Sequence, residues 1–160
     1  ILSSCKKDDD VSSKDQTMDS LIGKATITGV VLIDNDQTQK VSKNEVAADA
    51  IVTISYETKD LAYKPDSNAI SYTKTVTTKT DATGKFSITV EANDKGISYV
   101  VEAAQYATKY SVKDVDDNND PIIVTKDCYF NSVSMPVTIK KGETQYVQLN
   151  YGKTPQYVIE

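Results

Sequence analysis

The sequence predicts an all-β protein, a sandwich of about seven to nine strands. Beyond residue 24, apolar and polar residues alternate through most of the chain, which is the period of half-buried strands. Turn residues separate these runs at intervals of about 8 to 14 residues, and no run shows a convincing helical period. The 10 Tyr residues and the many Val, Ile and Thr residues favour strands, because β-branched and aromatic side chains suit a pleated surface.

Three strands are predicted before residue 80. Residues 25–34 form a β-branched run that is interrupted by Gly29, which indicates a bulge or a close backbone approach. Residues 50–58 show the clearest alternation, with one face made of Ala50, Val52, Ile54 and Tyr56. Residues 72–80 are rich in Thr and carry two lysines, which is typical of an edge strand protected from pairing with other chains.

Residues 80–90, TDATGKFSITV, are the stretch around which we expect the sheet to be organised. Asp81 and Gly84 indicate a tight turn, because Asp can hydrogen-bond its own backbone and Gly accepts a positive φ. Phe86, Ile88 and Val90 then alternate with polar residues. We therefore predict that this stretch forms the centre of an antiparallel sheet.

The second half continues the pattern. Pro136 indicates an edge or a bulge, because proline cannot donate to a strand ladder. KKGE at residues 140–143 is predicted to be a hairpin turn, after which Val147, Leu149 and Tyr151 close the sheet. The predicted extended segments are residues 97–103, 106–112, 122–125 and 129–139.

The first 23 residues are predicted to form a disordered tether, with a single domain over residues 24–160. Ile1 to Cys5 reads ILSSC, which resembles the lipobox of bacterial lipoproteins. That resemblance implies cleavage before Cys5, lipidation of Cys5, and a chain that starts inside its signal peptide. The following KKDDD resembles the export signal of Bacteroidetes-type surface lipoproteins, so we expect a lipid anchor in the outer membrane with exposure at the cell surface. The alternative is a solvated charged terminus with an ordinary cysteine.

Charge and composition exclude several function classes. The chain has 18 basic and 23 acidic residues, and every basic residue is Lys. We expect no nucleic-acid partner, because the net charge is negative and no Arg fork is available for phosphates or base edges. The absence of His excludes the usual general base, the Ser and Cys triads and the common zinc sites. Paired carboxylates could still hydrolyse glycosides, but the Asp and Glu residues fall in turns and on outward faces, so we predict that the protein is not an enzyme.

A family resemblance covers roughly residues 24–151. ITGVVL, the strand from Ala50 to Tyr56, TDATGKFSITV, and YVVEAAQY at residues 99–106 together resemble the carboxypeptidase-regulatory-like, or transthyretin-like, domain. Asp49 and Gln105 stand where that family usually has Gly. The resemblance implies a Greek-key sandwich and a non-catalytic scaffolding or recognition module.

One group of side chains is a candidate metal site. Oxygen-bearing side chains occur at every second position of an acidic segment, at Asp114, Asp116, Asn118 and Asp120. Calcium prefers six to eight oxygen ligands, so we consider this segment a candidate calcium site, with an ordinary acidic surface turn as the alternative. It departs from an EF-hand because Asn119 replaces the required Gly and Thr125 stands at the twelfth position.

Aromatic and cysteine residues supply the remaining candidates. A sugar-stacking platform could use tyrosines near loops and strand ends, namely Tyr63, Tyr106, Tyr110 and Tyr129, although Tyr is also a packing residue of strands. Cys128 is expected to be a buried structural cysteine.

These patterns predict a non-catalytic, lipid-anchored binding or structural protein that faces the cell surface or the periplasm. Its expected partners are the membrane, through the lipid, and a glycan or a cell-surface protein. The alternative is a glycan- or calcium-dependent recognition module that forms the first domain of a larger adhesin or toxin-like protein.

Overall fold

The computed structural model describes residues 22–39, 41, 43–62, 68, 70–152, 155 and 157–159. Within these residues the protein is almost all β, which confirms the predicted class. It has one short 3-10 helix, Thr58–Leu61, and eleven strands: β1 (Ile22–Ile33), β2 (Glu45–Val46), β3 (Ile51–Glu57), β4 (Thr73–Lys79), β5 (Lys85–Asn93), β6 (Ile97–Ala103), β7 (Tyr106–Val115), β8 (Pro121–Phe130), β9 (Val133–Ile139), β10 (Thr144–Asn150) and β11 (Tyr157–Ile159). The strand number exceeds the predicted one because β2 and β11, with two and three residues, are too short to leave a sequence pattern. Cys5, Tyr63 and residues 1–21 of the predicted tether lie outside the described residues. The predicted boundary at residue 24 is two residues late, because Ile22 and Gly23 pair with β5 as the start of β1.

Three sheets contain these strands. In sheet I, β1 pairs in parallel with β10 on one side and antiparallel with β5 and then β2 on the other. Sheet II has the order β4-β3-β6-β9 and is antiparallel throughout. Sheet III has the order β11-β8-β7. Sheets I and II face each other as the two layers of a sandwich, because the inward residues of both belong to one buried cluster.

The sequence predicted that the turn at residues 80–84 lies at the centre of a sheet, but the structure shows that it does not. It joins β4, an edge strand of sheet II, to β5, which pairs only with β1 in sheet I. The segment at residues 140–143 is likewise no hairpin, because it carries the chain from β9 in sheet II to β10 in sheet I. Both predictions were wrong for the same reason. Alternation shows which side chains face the core, but it does not show which strands pair, and the short turns were taken as evidence of hairpin pairing.

The predicted inward faces are confirmed. On β3, every second residue is buried, together with Ala50 just before the strand: Ala50, Val52, Ile54 and Tyr56. Every second residue of β6 is buried in the same way: Ile97, Tyr99, Val101 and Ala103. Val147, Leu149 and Tyr151 at the end of the chain are buried as well. The predicted edge positions also hold, since β4 with its lysines and β9 with Pro136 are the two outer strands of sheet II.

Two buried polar residues stabilise the chain crossings. Thr80 Oγ1 accepts a hydrogen bond from the Ala50 amide at 2.8 Å and donates to the Ala47 carbonyl at 2.5 Å. Asn93 holds the 3-10 helix against β5, since its side-chain amide donates to the carbonyls of Asp60 and Leu61 at 3.1 and 3.2 Å. A buried polar group is stable only with such partners, so these bonds determine where the chain passes between sheets.

Candidate functional site

The acidic segment forms the turn between β7 and β8. Asp116 Oδ1 accepts hydrogen bonds from the backbone N–H groups of Asn118 and Asp120, both at 2.9 Å. Asp114 Oδ1 accepts from the N–H of Val115 at 2.9 Å, and Asn119 adopts a left-handed φ of 67°. These carboxylates therefore already support the hairpin. In the part of the chain that the structure describes, no three Asp, Glu, Cys or His side chains are grouped to hold a metal ion, and the calcium site stays a prediction.

The candidate tyrosines serve packing where they can be described. Tyr106 donates a hydrogen bond from its hydroxyl to the Ala48 carbonyl at 2.9 Å, and its ring stacks on Tyr151 with the centroids 5.6 Å apart. Tyr110 is buried on β7, and Tyr129 is half-buried on β8. Of these three rings, only that of Tyr110 is buried, and a sugar-binding role of the candidate tyrosines stays a prediction.

Cys128 is buried on β8, as predicted, and only 1% of it is exposed. Burial raises the pKa of its thiol, and the Asp127 carboxylate beside it acts in the same direction. A thiol with a raised pKa is a poor nucleophile, so Cys128 is a structural residue.

A polar network connects the two layers of the sandwich. Tyr56 donates a hydrogen bond from its hydroxyl to Glu91 Oε2 at 2.8 Å, and Lys74 Nζ lies 3.5 Å from the same oxygen. Tyr99 donates to the Glu91 carbonyl, and its ring contacts Tyr56 with the centroids 5.0 Å apart. The hydrogen bond from Tyr56 lowers the pKa of Glu91, whereas burial raises the pKa of Tyr56 to about 12. A carboxylate held ionised in this way is a structural acceptor and is unsuited to act as a general acid.

An open cleft of about 560 Å³ lies on the outer face of sheet I, where β4 approaches β5. At its centre Thr28 of β1 is the register partner of both Ser87 in β5 and Tyr146 in β10, so the three side chains form one row across the sheet. The Tyr146 ring is 64% exposed. The polar side chains that line the cleft are Thr28, Thr78, Lys79, Asp81, Lys85, Ser87 and Tyr146.

Gly29 allows two neighbours to approach β1 closely beside the cleft. A Cβ atom on Gly29 would lie 2.5 Å from the Val147 carbonyl oxygen and 2.7 Å from the Phe86 ring. A residue without a side chain is therefore needed here for the buried Phe86 ring to pack over β1 in the core. This is the close approach that the sequence predicted at Gly29.

The cleft combines four kinds of recognition group. Hydroxyls from Thr28, Thr78 and Ser87 can donate or accept hydrogen bonds, and the exposed Tyr146 ring offers an aromatic face. Lys79 and Lys85 bring ammonium groups to the cleft, and Asp81 brings a carboxylate whose pKa is lowered in part by the charge of Lys85. The arrangement suits a hydroxyl-rich ligand.

The sequence interpretation missed this site. Tyr146 could have been found, because Val147 and Leu149 face the core and alternation therefore places Tyr146 on the outer face. Its row partners could not, since nothing in the sequence shows that β10 lies parallel to β1.

Two comparisons with known proteins gave no match. Neither the scan against protein-family models nor the search of curated proteins found a protein similar to this chain. Within residues 22–159, as far as they are described, no helix is long and apolar enough to cross a membrane.

Proposed function

We propose that this chain is a non-catalytic binding module, attached by lipid on Cys5 to the outer membrane of a Bacteroidetes-type bacterium and exposed at the cell surface. The observation that carries the binding role is the cleft on sheet I, with its row of Ser87, Thr28 and Tyr146. The carboxypeptidase-regulatory-like resemblance supports the same role, since such domains are mostly recognition or scaffolding modules.

Two observations support a lipid anchor: the sequence of residues 1–5 and the number of residues between Cys5 and the first strand. ILSSC at residues 1–5 resembles a lipobox, and β1 begins only at Ile22. The proposed tether is residues 6–20, and a flexible coil of that length spans on the order of 20 Å, enough to clear lipid headgroups. Two or three acyl chains hold a protein on a membrane lastingly, because each buried methylene contributes about 0.8 kcal/mol.

The chemistry of the described residues supports a non-catalytic role. Four carboxyls have shifted pKa values, and all four are lowered, chiefly by hydroxyl groups that donate hydrogen bonds to them: Asp36, Glu57, Asp81 and Glu91. A general acid that works near neutral pH needs the opposite shift.

Recognition of a glycan is the second candidate, and the exposure of Tyr146 beside three hydroxyl side chains favours it. An aromatic ring can stack on the C–H face of a sugar while neighbouring hydroxyls bind the sugar's own hydroxyls. Calcium dependence remains a separate hypothesis that concerns the turn between β7 and β8.

The anchor is tested in the native host with the full-length protein. We expect the wild type to carry acyl mass, to fractionate with the outer membrane and to be cleaved by external protease. Cys5→Ala should lose all three properties, whereas Cys128→Ala, the matched control, should keep them. An unmodified Cys5 in the wild type would refute the anchor.

The binding role is tested on a glycan array that includes uronic-acid and sulfated sugars. Tyr146→Ala should lose binding, and Tyr72→Ala, which removes another tyrosine that is 66% exposed but lies outside the cleft, should retain it. Binding that survives Tyr146→Ala, or silence of the wild type, would remove the glycan candidate. A calcium titration that leaves the melting temperature unchanged would remove the metal hypothesis.

A further inference from the structure

The outer edge of β10 has backbone groups that no described strand of the chain pairs with. The Thr26 amide donates to the Glu143 carbonyl at 2.9 Å, and the Tyr151 amide donates to the Leu32 carbonyl at 3.0 Å. Between these two bonds, a parallel ladder directs the backbone groups of odd-numbered β10 residues toward β1. The N–H and C=O groups of four exposed residues, Thr144, Tyr146, Gln148 and Asn150, therefore point away from β1.

No other strand of the described chain pairs with this edge. The remaining edges carry the features that block strand addition. β4 contains Lys74 and Lys79, β9 contains Pro136, and β5 and β7 carry several charges. β11 and β2 are only three and two residues long.

β10 has none of these protections. Its sequence, TQYVQLN, contains no charge and no proline over seven residues. An uncharged edge of this length is a template for another strand.

The strand is also complementary to itself. An antiparallel copy centred on Val147 places Thr144 opposite Asn150 and Tyr146 opposite Gln148, each pair occurring twice. All four outward residues then fall in hydrogen-bonded pairs, and four pairs with two bonds each give eight hydrogen bonds. No like charges meet in this register, which is the main obstacle to joining two identical strands.

We propose that two copies of this chain associate through antiparallel pairing of β10, with the two-fold axis at Val147. The pairing joins two copies of sheet I into one continuous sheet and leaves its outer face open. Tyr146 of one copy then lies beside Gln148 of the second copy, so two clefts face the same side of the joined sheet. The interface is small, so the dimer is weak in dilute solution and forms more readily where copies are concentrated.

The test measures the monomer–dimer equilibrium of the full chain by sedimentation equilibrium. Tyr146→Lys and Gln148→Glu each place like charges diagonally across the axis, so each should weaken dimerisation by about fivefold or more. The double variant, which combines Tyr146→Lys with Gln148→Glu, places each new ammonium group opposite a new carboxylate of the second copy and should restore the dimer. Thr89→Lys adds a positive charge to an exposed position of β5 on the same outer face, away from the axis, and should leave the equilibrium unchanged.

The rescue separates this register from general effects of charge or folding. Circular dichroism and the melting temperature of each variant show whether the monomer is intact. A wild type that stays monomeric up to its solubility limit would overturn the proposal, even if a foreign extended peptide bound the edge. A double variant that stays as weak as the single variants would overturn it too.

Discussion

Gly29 shows how one missing side chain shapes this protein. The backbone of β10 and the Phe86 ring both occupy space that a Cβ atom would need, at 2.5 and 2.7 Å. We predict that Gly29→Ala lowers the free energy of unfolding by about 1–3 kcal/mol, because neither the strand ladder nor the buried ring can move away cheaply. Chemical denaturation measures this change.

The control for this substitution is Gly152→Ala. Nothing lies within 4 Å of the position where its Cβ would stand, so its stability should be almost unchanged. Equal effects of the two substitutions would contradict the packing argument.

The hydrogen bond between Tyr56 and Glu91 also contributes measurably to the stability of the fold. We predict that Tyr56→Phe costs about 1 kcal/mol at neutral pH, since the ring packing remains while the hydroxyl bond to Glu91 at 2.8 Å is lost. In the folded wild type the pKa of Glu91 is lowered, mainly by this bond. Its contribution is therefore present above the ordinary Glu pKa and lost as the pH falls through the lowered folded value.

Urea unfolding of wild type and Tyr56→Phe at neutral and at acidic pH measures this coupling. The difference between the two proteins should shrink on acidification. A difference that stays constant with pH would show that Tyr56 acts through packing alone.

At the scale of elements, the turn between β4 and β5 depends on one carboxylate. Asp81 Oδ1 accepts hydrogen bonds from the Thr83 amide at 2.8 Å, the Thr83 hydroxyl at 2.7 Å and the Lys85 amide at 3.0 Å. The Thr83 hydroxyl is the main reason that the pKa of Asp81 is lowered. Asp81→Ala should lower the melting temperature, because this turn carries the chain from one layer of the sandwich to the other.

A matched control is Asp117→Ala in the turn between β7 and β8, where the carboxylate is exposed and forms none of the hydrogen bonds that hold the turn. Its melting temperature should equal that of the wild type. If Asp81→Ala melts no earlier than Asp117→Ala, the side-chain bonds of Asp81 do not hold the crossing. Acidification should reduce the stability advantage of the wild type over Asp81→Ala, since a protonated carboxyl loses the acceptor strength that its lowered pKa reflects.

The sequence did not predict which of these strands pair with each other. The turn residues Asp81 and Gly84 were identified, and Gly84 does adopt a positive φ of 74°. A turn of this kind permits either a hairpin or a step to the facing sheet. The choice depends on β1, which offers its edge to β5 and lies far from it in the sequence.

Across the whole molecule, buried tyrosine hydroxyls connect the sheets. Tyr99 bonds the Glu91 carbonyl, Tyr151 bonds the Ala104 carbonyl at 2.5 Å, and Tyr151 also packs on Phe130 of sheet III with the ring centroids 6.3 Å apart. Burial is the main cause that raises the pKa of Tyr56 and of Tyr151 to about 12, and it also raises the pKa of Tyr99. All three groups are therefore neutral in the folded state.

We predict an alkaline unfolding transition from these shifts. Because the folded pKa values lie above the unfolded value of about 10, the stability they contribute is complete below pH 10 and is lost as the pH rises toward 12. The buried Tyr56 and Tyr151 rings should ionise together with unfolding, so the rise in their tyrosinate absorbance should coincide with the change in circular dichroism. A single step near the ordinary tyrosine pKa, with circular dichroism unchanged, would contradict the buried bonds.

Alternation in the sequence was enough to predict the β class and the inward faces of β3 and β6, because it is a local property that each strand carries independently of its neighbours. The sequence also led to the hypotheses of a lipid on Cys5 and a calcium site at Asp114, Asp116, Asn118 and Asp120, which remain predictions. The positions of β5 and β10 on either side of β1, and hence the row of Ser87, Thr28 and Tyr146, became known from the three-dimensional structure. Pairing between strands distant in sequence follows from the summed packing of both layers, and no single segment contains that information.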